Sequence, residues 1–190
     1  MIARDWRGPW HRAPRRPGPP ALVRKRALVP HQVIVSCGGR VLFAAMGRTG
    51  IRTLKREGDG ATPRARLHPL VCLSRATRPA PLPWRRVRAA DGWCDDPESG
   101  SYNRLVKRPF AHGHESLIRE DAIYDTIFAT DHNQRPRVRG AGSAIFIHVA
   151  RPGLTPTLGC IAFRAADWRH GIVPSGAYLI GVDPRRLSAR

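Results

Sequence analysis

Residues 143–163 read S-A-I-F-I-H-V-A-R-P-G-L-T-P-T-L-G-C-I-A-F. This stretch holds one histidine and one cysteine, His148 and Cys160, each in a short apolar run. Residues 144–149 are apolar except at His148, rich in side chains that suit a pleated backbone, and too few for a typical helix, which predicts a buried strand. Arg151-Pro152-Gly153 breaks the run, and a turn-rich connection through Thr155, Pro156 and Thr157 leads into a second predicted strand at 159–163. Twelve positions separate His148 from Cys160, too many for contact along one strand. The spacing suits two antiparallel neighbours joined by a loop, with the imidazole brought to the thiol.

A free thiol is mostly protonated at neutral pH and only its thiolate attacks, so a cysteine nucleophile needs a neighbouring base. His148 is that candidate. Gly159 has no Cβ, so a substrate carbonyl has room to approach the backbone N–H groups beside Cys160, where its oxyanion would be stabilised. The same pattern also suits a core cysteine and a buried imidazole bonded to a backbone carbonyl. The residues alone leave both readings open.

The stretch resembles the signature of the L,D-transpeptidase catalytic domain (YkuD-like) family, a His followed after a dozen or more residues by Ser/Thr-His-Gly-Cys. His148, Thr157, Gly159 and Cys160 match it. Leu158 stands where the family has His, or Glu in the branch most similar to this chain, and Ala162 replaces the Arg that commonly follows the cysteine by two positions. Upstream, D-G-W-C-D-D-P at 91–97, Y-N-R at 102–104 and His114-Glu115 followed by an acidic, Tyr-containing segment at 119–125 resemble the same branch. Thr62-Pro63 is similar to the family's Thr-Pro-x-Gly-x-Phe element, which would shape one wall of a cleft.

The resemblance spans roughly residues 31–182 and implies a mainly β, sandwich-like catalytic domain with a few short helices. It implies peptidoglycan cross-linking without a cofactor: Cys160 attacks a stem-peptide carbonyl, His148 moves the proton, and an acceptor amine releases the acyl-enzyme. Water as acceptor would give carboxypeptidase activity. Substrate contacts are expected from Arg151, Thr157, Tyr102, Asn103, Arg104 and His114. The family's place is the periplasm or cell envelope, and a monomer is expected. With Leu158 and Ala162 departing from the pattern, the alternative is a degenerate domain that binds peptidoglycan without catalysis.

The chain has 190 residues, 18 Gly and 18 Pro, a formal charge of +19 and a pI near 11.6. That length buries a substantial core, and the Gly and Pro content favours strands and turns over long helices. Such a charge first suggests a nucleic-acid partner. The arginines are scattered through loops, however, and no RNA-recognition or helix-turn-helix pattern occurs, so nucleic acid is not expected as the main partner. A cationic surface suits an anionic envelope polymer equally.

Residues 1–30 carry eight Arg or Lys, one acid and six prolines, a composition that predicts a disordered basic arm ahead of a domain at 31–190. The arm lacks an apolar run of signal-peptide length, and nowhere does the sequence reach transmembrane length. Strands are predicted at 32–37 and 40–46 around a Gly38-Gly39 turn, at 67–73, at 123–129 and at 177–182, with a helical turn or two at 164–170 closed by Gly171. The rival site is His112-Gly113-His114, whose imidazoles would share one strand face and grip zinc. No C-x-x-C accompanies it, and Cys37, Cys72, Cys94 and Cys160 are widely spaced, so no metal is expected. Nor do four cysteines in a 21.1 kDa chain make a disulfide framework; Cys37 and Cys72 are expected in the core.

Overall fold

The computed structural model describes residues 18–75, 83–169 and 176–183. Among them the chain is mainly β with very little helix, as the sequence predicts. Ten strands, numbered along the chain, form one mixed, curled sheet. Its spatial order begins β6 (Ala65–Leu67), β15 (Tyr178–Ile180), β1 (Ala21–Lys25), β2 (Gln32–Cys37) and β3 (Arg40–Ala45). It continues with β14 (Ile161–Phe163), β13 (Phe146–Val149), β12 (Thr126–Thr130), β7 (Pro69–Ser74) and β8 (Trp84–Arg86). A second sheet has the order β10 (Leu105–Lys107), β9 (Asp91–Cys94), β11 (His114–Ser116), and β4 (Ile51–Arg52) pairs with β5 (Thr62–Pro63). The helix α1 (Ala165–Arg169) follows β14, and a single 3-10 turn occupies Pro152–Leu154. No helix among the described residues is long and apolar enough to cross a membrane.

The β2–β3 hairpin forms where Gly38-Gly39 predicts it, both glycines taking positive φ, +55° and +74°. That conformation matches the right-handed twist of the paired strands. Elsewhere local chemistry shortens the predicted strands. The run at 67–73 splits at His68, ahead of Pro69, into β6 and β7. β12 starts only at Thr126, and Ala122 turns the chain before it with φ +56°. α1 lies within the predicted helical stretch, whereas Gly171 falls outside the described residues.

The boundary of the basic arm needs correction. Ala21–Lys25 is a strand inside the large sheet, parallel to β15 and antiparallel to β2, with Ala21 and Val23 buried. Charge averaged over thirty residues conceals the short alternation of Ala21 and Val23, which is enough to seat a strand when two neighbours supply the hydrogen bonds. Residues 1–17 lie outside the described part.

The two faces of the large sheet have separate cores. Phe128, Ile147, Ile161, Phe163 and Tyr178 point into the curl. On the opposite face Val71, Leu73, Ile127 and Phe146 pack against Trp93 of β9, which lays the three-stranded sheet over this side. Side chains alternate along a strand. His148 therefore shares the face of Phe146, and Cys160 the face of Ala162, both opposite to Ile147 and Ile161.

Candidate active site

β13 and β14 lie side by side but run parallel, with Ile147 opposite Ile161 and His148 opposite Ala162. The antiparallel hairpin expected from the sequence is thus replaced by a crossover. Its course is fixed by buried and hydrogen-bonded points along the connection. Leu154 is buried against Ala45 and Ala162, the Thr157 N–H donates to the Met46 carbonyl, and the Arg48 N–H donates to the Thr157 carbonyl, both at 2.9 Å. The connection leaves β13, passes β14 and returns along the end of β3 before entering β14. His148 and Cys160 nonetheless open on one cleft.

Thr157 and Thr62 shape the backbone ahead of the cysteine. Thr157 Oγ1 donates to the Cys160 carbonyl at 2.7 Å and accepts the Gly159 N–H at 3.2 Å. The fully buried Thr62 hydroxyl donates to the Gly159 carbonyl at 2.8 Å and accepts the Gly47 N–H at 2.9 Å. Gly159 has φ +143°, and a Cβ there would lie 2.8 Å from the Ala61 carbonyl oxygen and 2.9 Å from Ile145 Cδ1. Only glycine fits both the conformation and the space. Because its N–H is engaged by Thr157, the N–H of Cys160, close enough to its own sulfur to favour the thiolate, is the better oxyanion donor.

Cys160 and His148 line one cleft of about 370 Å³ together with Thr157, Leu158 and Ala162. No hydrogen bond joins them in this state. The Cys160 thiol donates to the Ala144 carbonyl at 3.1 Å, and Sγ accepts the Phe146 N–H at 3.3 Å. His148 Nδ1 lies 2.8 Å from the Val149 carbonyl oxygen. A carbonyl only accepts, so Nδ1 carries the hydrogen and Nε2 is the basic nitrogen of the neutral ring. Burial lowers the His148 pKa to about 4, against the pull of the Val149 carbonyl and with help from Arg151 and Arg119. Burial, reinforced by the Glu115 carboxylate, pushes the Cys160 thiol up to about 12. The resting site is therefore a neutral thiol beside a neutral imidazole.

Charged groups of both signs surround this pair. Arg48, Lys55, Arg119 and Arg151 line the cleft, as do Glu57, Asp95 and Glu115. Arg151 is tied to Asp121 at 2.8 Å, and Arg119 grips the same carboxylate through Nε and Nη2, each at 2.9 Å. Of the residues expected to act on or bind the substrate, the structure brings His148, Arg151, Thr157 and Cys160 to the cleft.

The remaining expected contacts lie off the cleft wall. Tyr102 is buried, and its hydroxyl donates to Glu57, which does line the cleft. Asn103 is a buried hub: its amide nitrogen donates to the His132 and Asn133 carbonyls at 3.0 Å, and its oxygen accepts from Trp93 Nε1 at 2.9 Å and the Ala144 N–H at 3.2 Å. It supports the segment that receives the thiol. Arg104 pairs its carbonyl with the Cys94 N–H at 2.8 Å. His114 holds the His112 carbonyl through Nδ1 at 2.7 Å and packs on Phe110, facing a separate open groove with Arg108 and Ala90. His112 turns to Asp96 instead, at 3.1 Å.

All four cysteines are free thiols. Cys72 is buried, but Cys37 is only half-buried, its sulfur 3.6 Å from the Pro19 carbonyl oxygen, so its expected place in the core is corrected. Lys55 and Glu57 line the cleft without any signal in the sequence, whereas Asp95, Glu115 and Tyr124 belong to the motifs at 91–97, 114–115 and 119–125, whose place at the cleft the sequence does not show. These come from loops and from the smaller sheet, and no spacing rule links them to His148 or Cys160. Comparison of the chain with protein-family models, with curated proteins and with solved structures gave no match in any of the three.

Proposed function

We propose that the chain is a cysteine L,D-transpeptidase acting on peptidoglycan stem peptides in the cell envelope. The observation that carries this reading is the placement of Cys160 and of the Nε2-basic form of His148 on one face of adjacent strands, opening on one cleft. For reaction the thiol turns from the Ala144 carbonyl toward the imidazole. His148 Nε2 takes the proton as sulfur bonds to the substrate carbonyl carbon, and the Cys160 N–H meets the developing oxyanion. Collapse breaks the C–N bond while the imidazolium returns its proton to the leaving amine, leaving a thioester on Cys160. An acceptor amine then attacks, His148 takes its proton, and the thiol is regenerated with a new amide. Water in the acceptor's place gives the hydrolysed peptide. The strongly cationic chain suits an anionic wall polymer through long-range attraction.

A second reading, a wall-binding domain without catalysis, draws on one observation: the resting thiol is wholly engaged by the Ala144 carbonyl and the Phe146 N–H. Mass spectrometry after incubation with a carbapenem separates the two. A covalent adduct mapped to Cys160 and lost in His148→Ala supports the transpeptidase. Retention on purified peptidoglycan with no adduct supports the binding domain.

A further inference from the structure

Behind His148 stands a pair that the reaction above does not use. Tyr124 lies on the segment leading into β12 and Glu115 on β11, and both line the cleft. The Tyr124 hydroxyl donates to Glu115 Oε2 at 2.8 Å. Its ring meets the His148 imidazole edge-on, with centroids 5.2 Å apart and planes at 82°, and meets Phe146 the same way at 5.9 Å. The Arg119 guanidinium lies over the Tyr124 ring at 5.3 Å. Tyr124 is therefore clamped on three sides.

We propose that Glu115 and Tyr124 are positioning residues of the cysteine site: the carboxylate holds the Tyr124 hydroxyl, the Tyr124 ring packs edge-on with the His148 imidazole, and Glu115 shares one cleft with the thiol. This inference rests on the reading of Cys160 and His148 as nucleophile and base. With Nδ1 on the Val149 carbonyl, the ring plane of His148 is fixed by one hydrogen bond and by the Tyr124 ring, so loss of the aromatic ring frees the imidazole to tilt. The electrostatics agree with the geometry. Glu115 is raised by burial against the Tyr124 hydrogen bond, Tyr124 is raised well above its usual range by burial and then by Cys160 and Glu115, and the thiol is raised by burial and then by Glu115. Other charged groups around the thiol and the carboxylate are Lys55, Glu57, Asp95, Arg48, Arg119 and Arg151. Of these Lys55 favours the thiolate.

Two readouts on the full chain test the pair. The first is the pH profile of Cys160 alkylation by iodoacetamide, read by peptide mapping with Cys72 and Cys94 as internal references. Glu115→Gln removes a negative charge that disfavours the thiolate, so the profile moves to lower pH and alkylation at pH 7.5 rises by about three- to tenfold. Tyr124→Phe, which leaves the carboxylate in place, moves the profile less than Glu115→Gln does, and adds nothing in the Glu115→Gln background. The second is carbapenem acylation, which needs the base. Tyr124→Leu slows it by about tenfold without slowing alkylation, and Tyr124→Phe, keeping the ring, restores most of the rate.

An unmoved alkylation profile in Glu115→Gln overturns the proposal, as does a Tyr124→Leu variant acylated as fast as the wild type. A wild-type chain left unmodified by a carbapenem refutes the transpeptidase reading instead. In that case the Glu115→Gln alkylation profile, which needs no β-lactam, still decides the pair.

Discussion

Thr62 and Gly159, 97 residues apart in sequence, are joined by a hydrogen bond of 2.8 Å from the Thr62 hydroxyl to the Gly159 carbonyl oxygen. The same hydroxyl accepts the Gly47 N–H. One buried side chain thus ties the loop before Cys160 to the end of β3. Thr62→Val keeps the volume but leaves a buried donor and a buried acceptor without partners, each costing about 1–3 kcal/mol. We expect a loss of about 2–4 kcal/mol in urea unfolding, with a parallel fall in Cys160 acylation. Unchanged stability would show that water replaces the hydroxyl.

His148 gives the site its pH dependence. Its pKa falls from about 6.5 in an unfolded chain to about 4 in the folded one, through burial. Between these values the unfolded chain binds the extra proton, so stability is complete above pH 6.5 and drains away as pH falls toward 4. A shift of this size corresponds to about 3 kcal/mol. The slope of unfolding free energy between pH 6.5 and 4 should flatten in His148→Gln. An equally steep slope in the variant would assign the acid sensitivity to other groups.

As general base, His148 should also contribute about 10²- to 10⁴-fold to acylation. Single-turnover acylation of Cys160 in His148→Ala should fall by that factor, and alkylation of the thiolate at high pH should not. A variant acylated at the wild-type rate would remove His148 from the chemistry.

What was legible in the sequence follows from periodicity and short-range chemistry. The β2–β3 hairpin is announced by Gly38-Gly39, and the meeting of His148 and Cys160 on neighbouring strands by two short apolar runs joined by a turn-rich connection. The direction of β14 is not, because Leu154, Thr157, Met46 and Arg48 set it through contacts between distant segments. β1 was hidden for a similar reason: within a basic, proline-rich stretch Ala21 and Val23 look incidental, and only β2 and β15 on either side give them a place. The motifs at 91–97, 114–115 and 119–125 stand out in the sequence, but their convergence on His148 does not, since Glu115 and Tyr124 reach the cleft from segments that only the packing of two sheets brings together.

That misplaced boundary leads to a direct test. Deleting residues 1–30 strips β1 from between β2 and β15, exposing both edges and the apolar surface that Ala21 and Val23 cover. Loss of a strand with both neighbours paired should cost several kcal/mol, enough to unfold a domain of ordinary stability. The truncated chain should show lost thermal cooperativity and a tendency to aggregate through the opened edges. A sharp transition at the full-length melting temperature would contradict the placement of β1.

Leu158 is the last position where sequence and structure pull apart. The resemblance puts a polar residue there, and its replacement by leucine reads as a lost support for the active site. In the structure Leu158 is 65% exposed and borders the cleft, so it contributes little packing, and substitutions should leave stability within about 0.5 kcal/mol. The field at the thiol then decides the outcome. Glu115 already opposes the thiolate and Lys55 favours it. A second carboxylate at 158 adds to the first effect, a lysine to the second, each reduced by solvent and salt at so exposed a position. Alkylation of Cys160 at pH 7.5 should therefore rank Leu158→Lys above wild type and wild type above Leu158→Glu, with steps of about two- to fivefold. The ranking should compress in 1 M salt, where the Debye length shrinks to about 3 Å. If Leu158→Glu instead accelerates carbapenem acylation while slowing alkylation, the side chain acts by a hydrogen bond made only as the acyl-enzyme forms, and charge is not its main effect.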